Sequence, residues 1–120
     1  MSAGSERGWL LVVDDEPALA NLLKIFLERA GYRVTVSHDP LLALQAFSQD
    51  AERYAALIVD LVLPNMNGEE LVVAVRKTRP DIPAVITSGY PHQTRLAHAR
   101  FLQKPFPPKE LVEVLEEILG

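Results

Sequence analysis

Hydrophobic and polar positions along the chain alternate between two patterns. Five short, mostly apolar runs are separated by longer segments in which apolar residues recur at three- and four-residue spacing. Uninterrupted apolar runs fit strands that are buried on both faces, as in a parallel sheet, whereas the longer spacing predicts helices. The predicted strands are Leu10–Val13, Val34–Val36, Leu57–Val59, Val85–Thr87 and Phe101–Leu102.

Prolines, glycines and polar cap residues mark the limits of the predicted helices. The apolar stripe of the first helix consists of Leu19, Leu22, Leu23 and Phe26. Gly31 follows at the expected C′ position, where glycine is favoured. The remaining helices are predicted from Pro40 to Ser48 or Gln49, from Gly68 to Lys77, and from Pro107 and Pro108 onward, with Leu111, Leu115 and Ile118 on one face.

Repetition of the strand-helix unit predicts one doubly wound (βα)5 domain, because right-handed crossovers place helices on both faces of a parallel sheet. The fourth helix departs from this pattern. Only Pro91–Arg100 is available for it and its turns, so we expect it to be short or partly irregular. The small and polar residues 1–8 are expected to form a flexible leader, and residues 9–120 to form the domain.

Composition excludes several classes of function. The 120 residues suit one domain, with 48% apolar residues for a core. A net charge of −4 gives no general reason to bind nucleic acid directly, and Arg76, Lys77 and Arg79 are interpreted as the solvated face of a helix. Cysteine is absent, which excludes thiolate sites, and no apolar run approaches the ~20 residues of a membrane helix. We expect a cytoplasmic protein that does not bind a membrane.

Polar clusters follow four of the predicted strands, at their carboxyl ends. They are Asp14-Asp15-Glu16, Asp60, Ser88-Gly89 and Lys104-Pro105. In an open parallel sheet the ligand crevice lies outside these ends, so the clusters are expected to meet at one edge. Hard cations such as Mg²⁺ take carboxylate oxygens, and an aspartate beside a cation can attack phosphorus to give an aspartyl phosphate. The set therefore suits a divalent cation, with Asp15 and Asp60 as its carboxylate pair, and a phosphoryl group.

The same residues taken singly have structural explanations. Asp14 or Asp15 is a good cap for the first helix, and Ser88 is a good turn residue before a glycine. Lys104 taken alone fits a surface lysine, and Phe101 fits the core. No function is assigned to the three histidines, which share no metal-like spacing and are placed outside the site: His38, His92 and His98.

Taken together, the clusters resemble the receiver domains of two-component response regulators, over residues 9–119. Gaps of 45, 28 and 16 residues separate Asp15, Asp60, Ser88 and Lys104, and this order makes the resemblance specific. It implies a flavodoxin-like fold with strand order 2-1-3-4-5. The motifs are Val12-Val13-Asp14-Asp15-Glu16, Val59-Asp60-Leu61-Val62-Leu63-Pro64-Asn65-Met66-Asn67-Gly68, Thr87-Ser88-Gly89-Tyr90 and Leu102-Gln103-Lys104-Pro105-Phe106.

The resemblance also implies a chemistry for each motif. Asp60 would be the phosphoacceptor, supplied by a phosphohistidine on a sensor histidine kinase or a histidine phosphotransfer protein. Asp15, Asp60 and the backbone carbonyl of Val62 would bind Mg²⁺ directly, and Asp14 would bind it through water. Lys104 would pair with the phosphoryl oxygens.

A conformational switch is implied in the same way. Ser88 would move to hydrogen-bond the phosphoryl group, and the rotamer of Phe101 would respond to that movement. The Lys104-Pro105 bond would be cis. A phosphorylation switch of this kind biases a bistable packing arrangement.

Two departures from the family pattern bear on the output. Asn67 stands where most members have Asp, although either residue caps a helix. The shortened fourth helix belongs to the usual output and homodimer surface, so a homodimer is left open. Ser-Gly-Tyr and Leu-Gln-Lys-Pro-Phe resemble receivers attached to hybrid sensor kinases, with single-domain and DNA-binding regulators as alternatives. The rival functions are a pseudo-receiver that signals without phosphate and a small Mg²⁺-dependent phosphohydrolase.

Overall fold

Five parallel strands form one sheet in the order β2-β1-β3-β4-β5 in a computed structural model that describes residues 7–120. Most of the expected leader, residues 1–6, lies outside the described residues. The predicted α/β class and the strand order implied by the resemblance are both confirmed. The strands are β1 (Trp9–Val13), β2 (Arg33–Ser37), β3 (Tyr54–Asp60), β4 (Ala84–Ser88) and β5 (Ala99–Gln103).

Four helices accompany the sheet within residues 7–120: α1 (Pro17–Arg29), α2 (Pro40–Gln49), α3 (Gly68–Val75) and α4 (Pro108–Leu119). Three of them begin at a proline, whose fixed φ suits the first helical turn. Gly31 follows α1 at a φ of 104°, which confirms its predicted C′ position. Asn67 caps α3 through a capping box with Glu70, so that prediction is confirmed too. Helix α3 ends at Val75, two residues before the predicted end.

No helix forms in residues 89–98, between β4 and β5, so the expected fourth helix of the five-unit pattern was wrong. The physical reason is length. The connection must return along a five-residue strand, which spans roughly 17 Å at about 3.3 Å per residue. A helix made from all ten residues would rise only about 15 Å and leave nothing for the turns. The segment instead crosses in an irregular, more extended form.

Alternate residues of the strands face two separate hydrophobic clusters, one on each side of the sheet. On one side, β1 residues such as Leu10 and Val12 pack with α1 and α4. On the other side, Leu11 and Val13 pack with α2 and α3. This alternation follows from the two-residue period of a strand, and it explains why the sequence runs are apolar throughout.

Two of the basic residues near the end of α3 are not solvated as interpreted from the sequence. Arg79 donates hydrogen bonds to the backbone carbonyls of Ala51 and Tyr54 at 2.6 and 3.0 Å. Arg76 donates to two further backbone carbonyls at 2.7 and 3.1 Å. Only Lys77 of the three is exposed. The two arginines donate to backbone carbonyls of other segments, a role that depends on tertiary contacts.

Within residues 7–120, every helix is too short or too polar to cross a membrane.

Candidate functional site

Three aspartates meet at the carboxyl edge of the sheet, as the sequence predicted. Asp14 and Asp15 follow β1, and Asp60 ends the neighbouring strand β3. Asp14 and Asp60 are buried, at 2% and 7% exposure, while Asp15 is exposed. Each of the three offers a carboxylate oxygen, and these oxygens all lie within 4.8 Å of one another. An oxygen-only cluster of this kind fits a hard cation such as Mg²⁺.

A tight turn after β1 lets two adjacent aspartates serve one site. The backbone N–H of Asp14 still donates to Ser37 of β2 at 3.1 Å, which extends the ladder by one residue. The Asp14 side chain then accepts the N–H of Glu16 at 2.9 Å. The N-cap of α1 is Glu16, so neither aspartate takes the capping position that was the alternative explanation. Asp14 instead closes the turn and remains in the cluster.

Lys104 joins the aspartates from the end of β5. Its ammonium donates to the carboxylates of Asp14 at 3.0 Å and Asp60 at 3.2 Å, and it lies 3.7 Å from a carboxylate oxygen of Glu16. The side chain is only 16% exposed, so the surface-lysine explanation is wrong. The Lys104-Pro105 bond is cis, as the resemblance implied.

The electrostatics of the buried pair set its chemistry. Burial raises the pKa of Asp60, and Lys104 opposes this shift without cancelling it. Burial alone would lower the pKa of Lys104, but the hydrogen bonds and charges of Asp14 and Asp60 outweigh it and leave that pKa raised. Lys104 is therefore held as a cation, while Asp60 is more basic than an ordinary carboxylate.

The loop after Asp60 closes beneath the site through a glycine. The N–H of Gly68 donates to the carbonyl of Leu61 at 2.9 Å. A Cβ placed on Gly68 would lie 2.4 Å from the backbone oxygen of Asp60, a distance that only glycine avoids. The sequence marked Gly68 only as the start of α3. Its closeness to Asp60 depends on how α3 meets β3. Val62 lies in this loop, and its N–H lies 3.4 Å from the Asp60 carboxylate; its carbonyl as a metal ligand stays a prediction.

Ser88 ends β4 and is completely buried at the same edge. Its hydroxyl accepts the N–H of Tyr90 at 3.0 Å, and its carbonyl accepts the N–H of Lys104 at 2.7 Å. Ser88 is therefore both a turn residue and a neighbour of the site, since it anchors the backbone of the lysine. Its movement towards a phosphoryl group stays a prediction.

Phe101 lies on β5, opposite Ile86 of β4, and is partly buried in the cluster on the α2 and α3 side. The ring of His92 packs edge-on against it, with ring centroids 5.8 Å apart. His38 lies with Nδ1 3.0 Å from the carbonyl oxygen of Asp14. His38 and His92 thus border the site, through a contact to a backbone carbonyl and a ring-packing contact, across gaps that no spacing rule detects.

Comparisons with known proteins agree with this geometry. The family model for the response regulator receiver domain matches residues 10–116. The response regulator SaeR of Staphylococcus aureus is 27% identical over 116 residues, which cover 92% of this chain and 50% of SaeR. The chain thus spans about half the length of the curated relatives it matches.

Solved structures show the same likeness. The receiver domain of the hybrid histidine kinase CckA is 29% identical, with a TM-score of 0.86 over 94% of this chain and 100% of that chain. The response regulator TrrA of Thermotoga maritima, solved in complex with Mg²⁺-BeF, is 30% identical, with a TM-score of 0.82 over 92% of this chain and 98% of that chain. By fold, site and family match, the chain belongs to the response regulator receiver domain family.

Proposed function

We propose that this domain accepts a phosphoryl group on Asp60 from a phosphohistidine of a sensor histidine kinase or a histidine phosphotransfer protein. The observation that carries the proposal is the joint placement of three carboxylates within 4.8 Å and the Lys104 ammonium 3.2 Å from Asp60. A nucleophile, an oxygen-rich cation site and a fixed positive charge are what phosphoryl transfer to a carboxylate requires.

In the proposed reaction a carboxylate oxygen of Asp60 attacks phosphorus. The phosphorus–nitrogen bond to the donor imidazole breaks, and its electron pair leaves with the imidazole nitrogen. Lys104, which already contacts Asp60, shifts its hydrogen bonds to the phosphoryl oxygens. The same site would return Asp60 to its free state when water attacks phosphorus and inorganic phosphate leaves. The domain would catalyse only these two changes to itself.

Asp14, Asp15, Asp60 and the carbonyl of Val62 would hold Mg²⁺. The three carboxylates outnumber the single ammonium, so an incoming phosphoryl group meets net negative charge. A bound divalent cation supplies the missing positive charge. The chain's own part is to keep the carboxylates clustered and to keep Lys104 protonated through its contacts with Asp14 and Asp60.

Phosphorylation would then be signalled through Ser88 and Phe101. Ser88 would turn its hydroxyl from Tyr90 to the phosphoryl group, and Phe101 would change rotamer. The same proposal includes attachment of the domain to a hybrid kinase or to a longer response regulator. It also includes homodimer formation and a cytoplasmic location. The receiver of CckA, from a hybrid histidine kinase, is a relative that supports the first of these.

The test is incubation with acetyl phosphate and Mg²⁺, followed by intact-mass measurement. We expect one added phosphoryl group, which EDTA and Asp60→Asn both remove. Labelling that persists in Asp60→Asn would refute the assignment of the nucleophile. If the unaltered protein neither takes up a phosphoryl group nor binds Mg²⁺, the pseudo-receiver is favoured. Multiple-turnover release of phosphate from small phosphomonoesters would instead favour the phosphohydrolase.

A further inference from the structure

Residues 89–98, called the strap below, run along α3 and are fastened near both ends of that helix. In the first turn of α3, one carboxylate oxygen of Glu69 accepts the Thr94 hydroxyl at 2.6 Å and lies 3.1 Å from Nε2 of His92. At the other end, Arg76 donates to the carbonyl of His98 at 3.1 Å. Side-chain bonds from α3 thus hold a connection that has no helical hydrogen bonds of its own.

The strap contacts both residues of the proposed switch. At its start, the Tyr90 N–H donates to the Ser88 hydroxyl at 3.0 Å. In its middle, the His92 ring packs edge-on against Phe101, at 5.8 Å between centroids and an interplanar angle of 67°. Leu96 packs into the same hydrophobic cluster as Phe101. Movement of either switch residue therefore breaks a contact with the strap.

Glu69 fastens the part of the strap that touches the switch. Its side chain is 28% exposed and makes both contacts through one oxygen. The Thr94 hydroxyl, which donates to Glu69, also accepts a hydrogen bond from the N–H of Leu96 at 3.2 Å. Glu69, Thr94 and Leu96 are therefore linked by consecutive hydrogen bonds. The hydrogen bond from Thr94 lowers the pKa of Glu69 the most, and His92 lowers it further, so Glu69 stays ionised. Hydrogen bonds to an ionised acceptor are stronger than neutral ones.

We propose that Glu69 is a positioning residue for the phosphorylation switch, because it holds the strap in the resting arrangement through His92 and Thr94. In that arrangement the Ser88 hydroxyl is occupied by Tyr90, and Phe101 is packed against His92. Turning Ser88 towards Asp60 breaks the first contact, and turning Phe101 breaks the second. The inference rests on the proposed function of Asp60, and it assigns to Glu69 an energetic bias against the phosphorylated state.

Glu69→Ala tests this inference, with Glu70→Ala as the matched control. Glu70 is the next residue of the same helical turn, but its side chain and its backbone N–H both bond to Asn67 and not to the strap. We would titrate each protein with beryllofluoride at saturating Mg²⁺ and follow the Ser88 amide and the Phe101 ring by NMR. We expect Glu69→Ala to bind about two- to tenfold more tightly, the range for losing one net hydrogen bond from the resting state. Glu70→Ala should lower thermal stability and leave the affinity unchanged.

Equal beryllofluoride affinity for Glu69→Ala and the unaltered protein would overturn the inference, since a merely structural contact would change only the melting temperature. Failure of the unaltered protein to bind beryllofluoride would instead count against the proposed function of Asp60. In that case, NMR spectra of the proteins without beryllofluoride still test the role of Glu69. Its removal should shift the Phe101 ring signals, Glu70→Ala should not, and absence of the shift refutes the role.

A second pair of variants covers the case in which Glu69→Ala does not fold. Thr94→Val removes the 2.6 Å hydrogen bond from the strap side, and Thr94→Ser keeps the hydroxyl. We expect Thr94→Val to bind beryllofluoride more tightly and Thr94→Ser to restore the original affinity. Identical affinities for the two variants would contradict the proposed hold on the strap.

Discussion

Gly68→Ala should destabilise the domain at the point where α3 meets the phosphoacceptor strand. The added Cβ would lie 2.4 Å from the backbone oxygen of Asp60 and 3.1 Å from Cα of Leu61. Both are backbone atoms, so relief requires α3 or the end of β3 to shift. Overpacking of this kind costs about 1–3 kcal/mol, which exceeds the ~0.5–1 kcal/mol that alanine gains over glycine inside a helix.

Gly89→Ala is the matched control for this substitution. A Cβ at Gly89 meets no atom of residues 7–120 within 4 Å. The unfolded chain loses similar conformational freedom in both variants, so Gly89→Ala should leave the free energy of unfolding unchanged or raise it by up to about 1 kcal/mol.

Urea unfolding with and without Mg²⁺ measures both effects. We expect Gly68→Ala to lower the unfolding midpoint clearly and Gly89→Ala not to lower it. A displaced Asp60 should also weaken Mg²⁺ binding in Gly68→Ala, because the metal site requires its carboxylate. Equal stability of Gly68→Ala and the unaltered protein would refute the reasoning, since it would mean that the close approach is not present in solution.

Three further outcomes follow from the site. Burial raises the pKa of Asp60 in the folded state, so Asp60 stabilises the fold at a pH below its unfolded pKa, and this stabilisation is lost as the pH rises through its folded pKa. In EDTA, Asp60→Asn should therefore be more stable than the unaltered protein at pH 7. Urea unfolding across pH should show that this gain disappears in acid. Lys104→Ala should lower the free energy of unfolding by about 3 kcal/mol, because it leaves two buried carboxylates without their positive partner. Thermal unfolding should show that Mg²⁺ restores part of this stability. Asn67→Ala should cost about 1 kcal/mol by removing the capping box, whereas Asn67→Asp should keep the stability and the phosphoryl labelling; equal melting temperatures for these two variants would contradict the capping role.

Sequence reasoning located most elements because their signals are local. Proline positions, the Gly31 C′ residue and the Asn67 cap act within a few residues of the ends they mark, so their effects do not depend on the rest of the chain. Apolar runs identified the strands for the same reason. The helix expected between β4 and β5 failed because a general β-α pattern was extended to a segment whose length is fixed by the strand it must bypass.

The site could be predicted as a set because topology gathers the carboxyl ends of parallel strands at one edge. This rule placed Asp14, Asp60, Ser88 and Lys104 together without any knowledge of their distances. It said nothing of which aspartate would be buried or which of them the lysine would contact. Those facts depend on burial and on partners as far apart as the 90 residues between Asp14 and Lys104.

By itself, the sequence determined the order of the elements, the apolar faces that build the core and the polar residues available for chemistry. Only the tertiary structure decided that Arg76 and Arg79 bond to backbone carbonyls, that Gly68 approaches Asp60, and that Glu69 fastens the strap against Phe101. The first group follows from periodicity and from interactions between near neighbours in the chain. The second depends on contacts between distant segments, whose geometry exists only after the sheet and its helices have packed.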